Sequence, residues 1–528
     1  MTTPRQSEKL RLAAVLVTVA TVAVTGDTAA QQPAAATRQP DLAALDGYIA
    51  AAREAWGVPG LAVAIVKDGE TVLAKGYGVR ELGGTEPVDE HTLFAIASNS
   101  KSFTAAALAM LVDEGRLSWD DRVRAHLPWF QLYDPYVSEE MRIRDLLSHR
   151  SGLGTYSGDL LWYGTPYSAE DVVRRARHLE PAGPFRASYG YSNLMFIAAG
   201  EVVRVVSGQP WQVFVRERIL SPLAMTRTVT STDSLATRDN VASPHAVWQG
   251  TLQPFAWYNW DAMAAAGGII SSVSEMARWL ELQLDSGIVA PGDTLFSPRQ
   301  AWTMWSVHTP FTVSPQYRET YPTTNFRGYG LGWSLNDYKG RKIVSHGGGY
   351  DGMFSRTVFV PDENLGVVVL TNSTTGISTA ISNRILDAYL GGDQRDWSAL
   401  LLPQDRAAAT AEAERRARIV NATVQGTRPS LSPDAYAGTY SGPMYGDATV
   451  TVENGGLVLR LLPNSELVAD LRHRQHDTYT IEWRRPWPWF GSGVAHFVLT
   501  PAGTVGELRL DVPNEDLWFD ELVLKKQP

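Results

Sequence analysis

The feature that most limits how this chain can fold is the placement of its strand-like runs, which fall into two groups far apart in sequence. Leu61 to Val66 and Thr71 to Tyr77 are apolar runs on either side of the turn Lys67-Asp68-Gly69-Glu70, and they predict a β-hairpin. Comparable runs return at Phe326 to Leu335, Arg341 to Ser345, Phe354 to Val360 and Gly366 to Leu370, with a turn at Pro361-Asp362-Glu363-Asn364, and read as an antiparallel meander. Between the groups, from Ser118 to about Val229, the spacing is mainly helical with long loops. Helical spacing also precedes the hairpin, from Asp41 to Trp56, and follows the meander, from Ile377 to Leu390. Antiparallel strands segregated from helices in this way describe an α+β unit, covering residues 41–392.

The character then changes. Residues 393–430 read as a connector whose core, Ala407 to Val420, is a charged helix with a narrow apolar face. Residues 431–528 consist of short strands punctuated by Asn454-Gly455-Gly456 and Pro501-Ala502-Gly503, the pattern of a small sandwich or barrel.

Composition narrows the chemistry. With 44% hydrophobic and 20% charged residues the chain is globular. A net charge of -9 with no basic stripe argues against nucleic acid as a partner. The chain has no cysteine, which excludes disulfides, thiolate catalysis and zinc–thiolate centres. Five of its tryptophans, Trp162, Trp257, Trp260, Trp487 and Trp489, fall in expected loops, where they can pack or line a site for an apolar substrate.

At the start, Arg5, Lys9 and Arg11 precede the apolar run Leu12 to Val24, and Thr28-Ala29-Ala30 offers small residues for cleavage. Residues 1–30 are thus expected to be an export signal and 31–40 a flexible leader. The mature chain is then periplasmic or secreted, with no membrane span.

Ser98 and Lys101 form the only Ser-x-x-Lys in the chain, followed by the apolar run Phe103 to Val112 that stops near Gly115. On a helix, the two side chains share one face, and a lysine held neutral can take the serine's proton. The helix N-terminus supplies N–H groups where an oxyanion would form. Tyr191 and Asn193, in the only Tyr-x-Asn, stand just before another helical run and are candidates for proton transfer and for holding the lysine or a substrate carbonyl. A helix-capping role for Asn193 is the structural alternative. His346-Gly347-Gly348-Gly349 offers a strand edge against which a substrate can lie.

Ser98-x-x-Lys101, Tyr191-x-Asn193 and His346-Gly347-Gly348, in that order, resemble the beta-lactamase and penicillin-binding-protein serine hydrolases, in particular the class C branch with its esterases, D-aminopeptidases and DD-peptidase-like proteins. Leu147-Ser148-His149-Arg150-Ser151-Gly152-Leu153, Ala266-Gly267-Gly268 and Tyr329-Gly330-Leu331-Gly332-Trp333 are similar to further stretches of that family. The resemblance implies an antiparallel sheet flanked by helices with a helical subdomain, and no metal or cofactor. It implies that Ser98 is the nucleophile, that Lys101 with Tyr191 is the general base, and that Asn193, His346, Gly348 and Gly349 serve substrate and oxyanion. His346 stands where beta-lactamases usually carry a lysine; a group of pH-dependent charge in place of a permanent cation favours esters, or small-molecule and peptide amides, over beta-lactams. Ser334-Leu335-Asn336 is a rival second motif, discounted because it falls in the meander. Tyr436-Ala437-Gly438-Thr439-Tyr440 opens a C-terminal part similar to the lipocalin-like barrel behind some of these hydrolases, which can shape the cleft or build a homo-oligomer. The competing expectations are a beta-lactamase or DD-peptidase, and a non-catalytic peptidoglycan- or ligand-binding protein on the same scaffold.

Overall fold

The computed structural model describes residues 40–528; the expected export signal and nearly all of the leader lie outside them. In chain order the principal elements of the first part are α1 (Leu42–Trp56), β1 (Gly60–Lys67), β2 (Glu70–Gly78), α2 (Ser100–Asp113), α3 (Asn193–Ser207) and α4 (Val273–Leu284). They are followed by β3 (Thr309–Phe311), β4 (Arg327–Tyr329), β5 (Ser334–Tyr338), β6 (Arg341–Tyr350), β7 (Met353–Val360), β8 (Leu365–Thr371) and α5 (Ile377–Leu390).

Hairpin and meander join in one antiparallel sheet of order β2-β1-β8-β7-β6-β5-β4-β3. The junction is the β1–β8 pair, with Leu61 opposite Thr371 and Lys67 opposite Leu365. The sequence of β1 does not alternate because both of its faces are covered. Leu61, Val63 and Ile65 pack with Ile49 of α1 and Ile381 of α5, while Ala62, Ala64 and Val66 pack into the core that holds Met276 and Leu280 of α4. Successive side chains point to opposite faces, so a strand between two layers of helix must be apolar throughout. Each fully buried Leu, Val or Ile there stabilises the fold by roughly 1.5–3 kcal/mol.

Helix α2 is buried almost all round, from Ser100 to Leu111. Its run Ala105 to Ala107, with Ala109, lets α3 and the short helix Ala264–Gly267 approach closely, while Phe103 stacks on Trp279 of α4 with centroids 3.8 Å apart. The nucleophile candidate therefore stands immediately before a helix that is enclosed on nearly all sides.

The helix in the connector is longer than its charge pattern predicts. Helix α6 runs Trp397–Asn421 and includes Pro403. Its start, ten residues before Ala407, is fixed by Asp396, which accepts from the Ala399 N–H at 3.0 Å, and by buried Trp397, whose Nε1 donates to Asp387 at 2.7 Å. Tertiary anchoring decides the boundary where helix propensity alone does not.

Beyond it, eight strands, β9 (Gly438–Gly442), β10 (Gly446–Glu453), β11 (Gly456–Leu461), β12 (Val468–Gln475), β13 (Thr478–Trp483), β14 (Gly493–Leu499), β15 (Val505–Asp511) and β16 (Leu524–Lys526), pair in sequence and close into a barrel. Closure is made by Tyr440 opposite Lys526. Inward residues such as Tyr440, Leu459, Ile481, Phe497 and Leu508 are buried and fill the interior, as is usual for an eight-stranded barrel of this size.

Candidate active site

Ser98 lies in a single 3₁₀ turn, Ala97–Asn99, that leads directly into α2. Ala97 sits at φ 46°, a left-handed conformation that costs an alanine free energy and turns the next residue out of the helix line. Neighbouring elements hold the turn. Asn99 Nδ2 donates to Ser355 Oγ at 2.8 Å, and Ser355 Oγ donates to Ile96 O at 2.6 Å. Ser100 Oγ accepts from the Ile269 N–H at 3.0 Å.

Lys101 is wholly buried one turn on. Its Nζ lies 3.0 Å from Ser98 Oγ, 2.7 Å from Asn193 Oδ1 and 2.9 Å from Ala266 O. Burial drives its pKa well below the usual lysine value, with the Asp159 charge opposing. The geometry suits a neutral amine: two N–H groups meet two acceptors, and the lone pair is left for Ser98.

Tyr191 precedes α3. The α3 cap is Ser192, whose Oγ accepts from the Met195 N–H at 3.4 Å, so Asn193 is not the cap and its amide is free to bridge Lys101 and Asp159. Its Nδ2 donates to Asp159 Oδ2 at 2.6 Å. The Tyr191 ring lies 4.7 Å from Lys101 Nζ. Its phenol is pushed well above the usual value, by burial first, while the Ser98 hydroxyl pulls it down; it is a neutral donor, not a tyrosinate. His149 stacks on Tyr191 at 4.1 Å, and its Nδ1 accepts from the Ser192 N–H at 3.0 Å. This fixes the ring that positions the phenol.

On the other side, β6 brings its glycines against the nucleophile turn. A Cβ on Gly348 would stand 2.3 Å from Ile96 O and 2.9 Å from Ser98 N, so only glycine allows that approach. Gly349 lines the cavity beside Ser98. His346 differs from its expectation. It is buried, its Nδ1 donates to Gly347 O at 2.6 Å, and its Nε2 accepts from the Tyr329 hydroxyl at 2.8 Å. Burial, the largest cause, pushes its pKa down to about 3, so its charge does not switch near neutral pH. Ser334-Leu335-Asn336 lies on β5 opposite Val344 and does not line the cavity.

The cavity at Ser98 has a volume of about 550 Å³. Sequence reasoning missed most of its walls. Tyr156 and Asp159 come from the turn segment that leads into the short 3₁₀ turn Asp159–Leu161, Asp405, Glu412 and Arg416 from α6, and Trp489, Glu515 and Asp516 from the barrel. The tryptophan cluster was the one available signal: Trp162, Trp260 and Trp489 line the cavity, while Trp487 packs against Tyr163 at 5.8 Å in the seam between barrel and hydrolase part. Glu521 of the barrel accepts from Gly158 N at 2.8 Å and from Ser157 Oγ, next to Asp159.

Residues 45–391 match the family model described as Beta-lactamase. Residues 422–526 match a model described as a domain of unknown function (DUF3471). The chain is 30% identical over 419 residues, 75% of each chain, to an unguisins hydrolase of Aspergillus campestris. It is 28% identical to penicillin-binding protein 4 of Amycolatopsis lactamdurans, over 63% of this chain and 85% of that protein. Among solved structures, the octameric penicillin-binding protein homologue from Pyrococcus abyssi superposes with a TM-score of 0.60 at 23% identity, covering 92% of this chain and all of that one, and shares the fold.

Proposed function

The chain is a serine hydrolase that belongs to the beta-lactamase family, and from that premise we propose that it is exported and cleaves an ester or amide through an acyl-enzyme on Ser98. The observation that carries the reading is the buried Lys101, with its Nζ 3.0 Å from Ser98 Oγ and its two amine hydrogens occupied elsewhere. Lys101 takes the Ser98 proton as Oγ attacks the carbonyl carbon. The oxyanion is held by N–H groups at Ser98 and near Gly349. Neutral Tyr191 passes the proton to the leaving group, the C–O or C–N bond breaks, and water then releases the acyl group by the reverse route.

Small esters and amides of amino acids are the favoured substrates. His346, held neutral, offers no cation to grip the carboxylate of a beta-lactam, and Lys101 is already engaged. The resemblance of its motifs to the branch with esterases and D-aminopeptidases supports the same reading. Export rests on the basic and then apolar N-terminal stretch. Among the described residues, no helix is long and apolar enough to cross a membrane.

The test is labelling with a fluorophosphonate probe followed by peptide mass spectrometry, alongside p-nitrophenyl esters, D-amino-acid amides and nitrocefin as substrates. The expected result is one adduct, on Ser98, with esters or D-amides turned over faster than nitrocefin. Folded protein with an unlabelled Ser98 would sink the reading, and faster nitrocefin hydrolysis would overturn the substrate assignment.

A further inference from the structure

We propose that Asp351 is the positioning residue of the strand that carries the second oxyanion donor: its carboxylate, buried in the turn just after Gly349, ties the cleft end of β6 to Tyr163 and Trp260 of the cavity wall. This role rests on the reading of Ser98 as nucleophile and accounts for what holds the Gly349 N–H in line with it.

β6 needs such an anchor because it is supported on one side only where the chemistry occurs. Its last partner on β5 is Ser345, opposite Ser334, so His346 to Tyr350 pair with β7 alone. The other edge is left open for a substrate. A strand end with one neighbour opens easily, and a catalytic group misplaced by about 1 Å costs about 100-fold in rate.

Asp351 and Gly352 form the two-residue turn between Tyr350 and Met353, with Gly352 at φ 90°. An aspartate in a turn ordinarily bonds its own backbone at the surface. Asp351 is instead 1% exposed. Its Oδ1 accepts from the Tyr163 hydroxyl at 2.6 Å and its Oδ2 from the Trp260 indole N–H at 2.8 Å, donors 188 and 91 residues away in sequence. Both donors line the cavity at Ser98. Among the described residues no cation bonds to Asp351. Arg485, whose charge reaches it, is paired with Glu466 and stacked on Trp487 at 4.3 Å. Burial raises Asp351 to about 6, with the Tyr163 and Trp260 donors opposing, so it is ionised at neutral pH. Hydrogen bonds to a carboxylate are about twice as strong as those between neutral groups.

The rest of the turn is seated to match. Trp260 packs on Tyr350 with centroids 4.6 Å apart, the Tyr350 hydroxyl donates to Tyr258 O and accepts from the Tyr258 N–H at 2.7 Å, and the His245 N–H donates to Gly352 O at 2.9 Å. A Cβ on Gly349 would stand 3.2 Å from the rings of both Phe354 and Trp489, which leaves the strand little room to shift.

The test measures p-nitrophenyl ester turnover per fluorophosphonate-titrated site, together with inhibition by phenylboronic acid, which adds to Ser98 as a tetrahedral species with an oxygen in the oxyanion position. Asp351→Ala should lower kcat about 30-fold with KM within about threefold, and weaken the boronate in step, because the tetrahedral species alone needs the donor. Tyr163→Phe, a milder change that removes one donor and keeps the ring, should lower kcat about fivefold. Asp351→Asn still accepts from Trp260 and can donate to the Tyr163 oxygen, so it should recover about fivefold of the alanine loss. A kcat loss below threefold in Asp351→Ala, no loss in Tyr163→Phe, or a loss carried by KM would overturn the assignment. Hydrogen exchange separates it from the hydrolase reading. Peptides covering residues 346–352 should exchange about tenfold faster in Asp351→Ala, or about threefold faster in Tyr163→Phe if the alanine variant does not fold, with those covering β1 and β8 unchanged. Faster exchange confined to that turn supports the anchor even if wild-type Ser98 takes no adduct, and unchanged exchange refutes it even if hydrolysis is fast.

Discussion

Replacing Lys101 by methionine should remove the chemistry and leave the fold. Methionine is close to lysine in length and fills irregular space, so no cavity forms in the packed surroundings of α2. The substitution breaks the contacts of Nζ with Ser98, Asn193 and Ala266. Two buried acceptors, Asn193 Oδ1 and Ala266 O, lose their donor at about 1–3 kcal/mol each. Against that, the mutant no longer keeps an amine out of water, so the net loss of stability should be about 2 kcal/mol. The rate loss is larger. A positioned general base contributes about 10²–10⁴-fold, or about 3–5 kcal/mol of transition-state stabilisation. Stopped-flow release of p-nitrophenol from an ester under single-turnover conditions, with mass spectrometry of the acyl-enzyme, measures the acylation step directly. Lys101→Arg adds a control, because arginine keeps N–H donors but has no lone pair to accept a proton. Acylation of either variant within tenfold of wild type would show that the proton goes elsewhere.

Three further outcomes follow from the same geometry. Gly348→Ala should abolish turnover by at least about 100-fold, since its Cβ meets the backbone of Ile96 and Ser98, whereas Gly347→Ala, whose Cβ meets only Ser355 O at 3.9 Å, should be tolerated; equal effects of the two would refute the close-approach argument. His346 is held at about 3 in the fold against an ordinary value of about 6.5, so the unfolded chain binds the proton first and stability falls as pH drops through that window. Urea unfolding at pH 7 and pH 4.5 should show on the order of 3 kcal/mol lost to this group, absent in His346→Gln, and identical pH slopes in the two proteins would contradict a neutral buried imidazole. Glu521→Ala should cost about 1–3 kcal/mol and raise KM more than it lowers kcat, because Ser157 and Gly158 lose the barrel carboxylate that steadies the loop carrying Asp159; an unchanged KM would count against that coupling.

Sequence spacing carried the candidate nucleophile, its candidate base and the strand glycines as neighbours in space, because each depends on a local requirement: one helical turn between Ser98 and Lys101, and absent side chains at Gly348. It carried the hairpin and the meander as well, but not their union through β1 and β8, which is a long-range pairing that no local pattern encodes. Asn193 was legible as a residue, while its exclusion from the capping role depended on Ser192 standing next to it. Asp159 was not legible, since an aspartate in the loop Ser157-Gly158-Asp159 looks solvated until the barrel covers it. His346 was read as a pH-dependent charge because a sequence does not report the burial and the Tyr329 contact that keep it neutral.

The position of α6 and the loop of Asp516 has a consequence in time. The proposed nucleophile, base and relay tyrosine all belong to the first part of the chain, but the cavity's far wall is made last. Residues 405–416 and 515–517 emerge from the ribosome after every catalytic candidate has been synthesised. A nascent chain can therefore assemble Ser98, Lys101 and Tyr191 while the cavity is still open to water on one side. Full enclosure arrives only when the barrel closes through β16, so the order of synthesis delays a finished site until the final strand is in place.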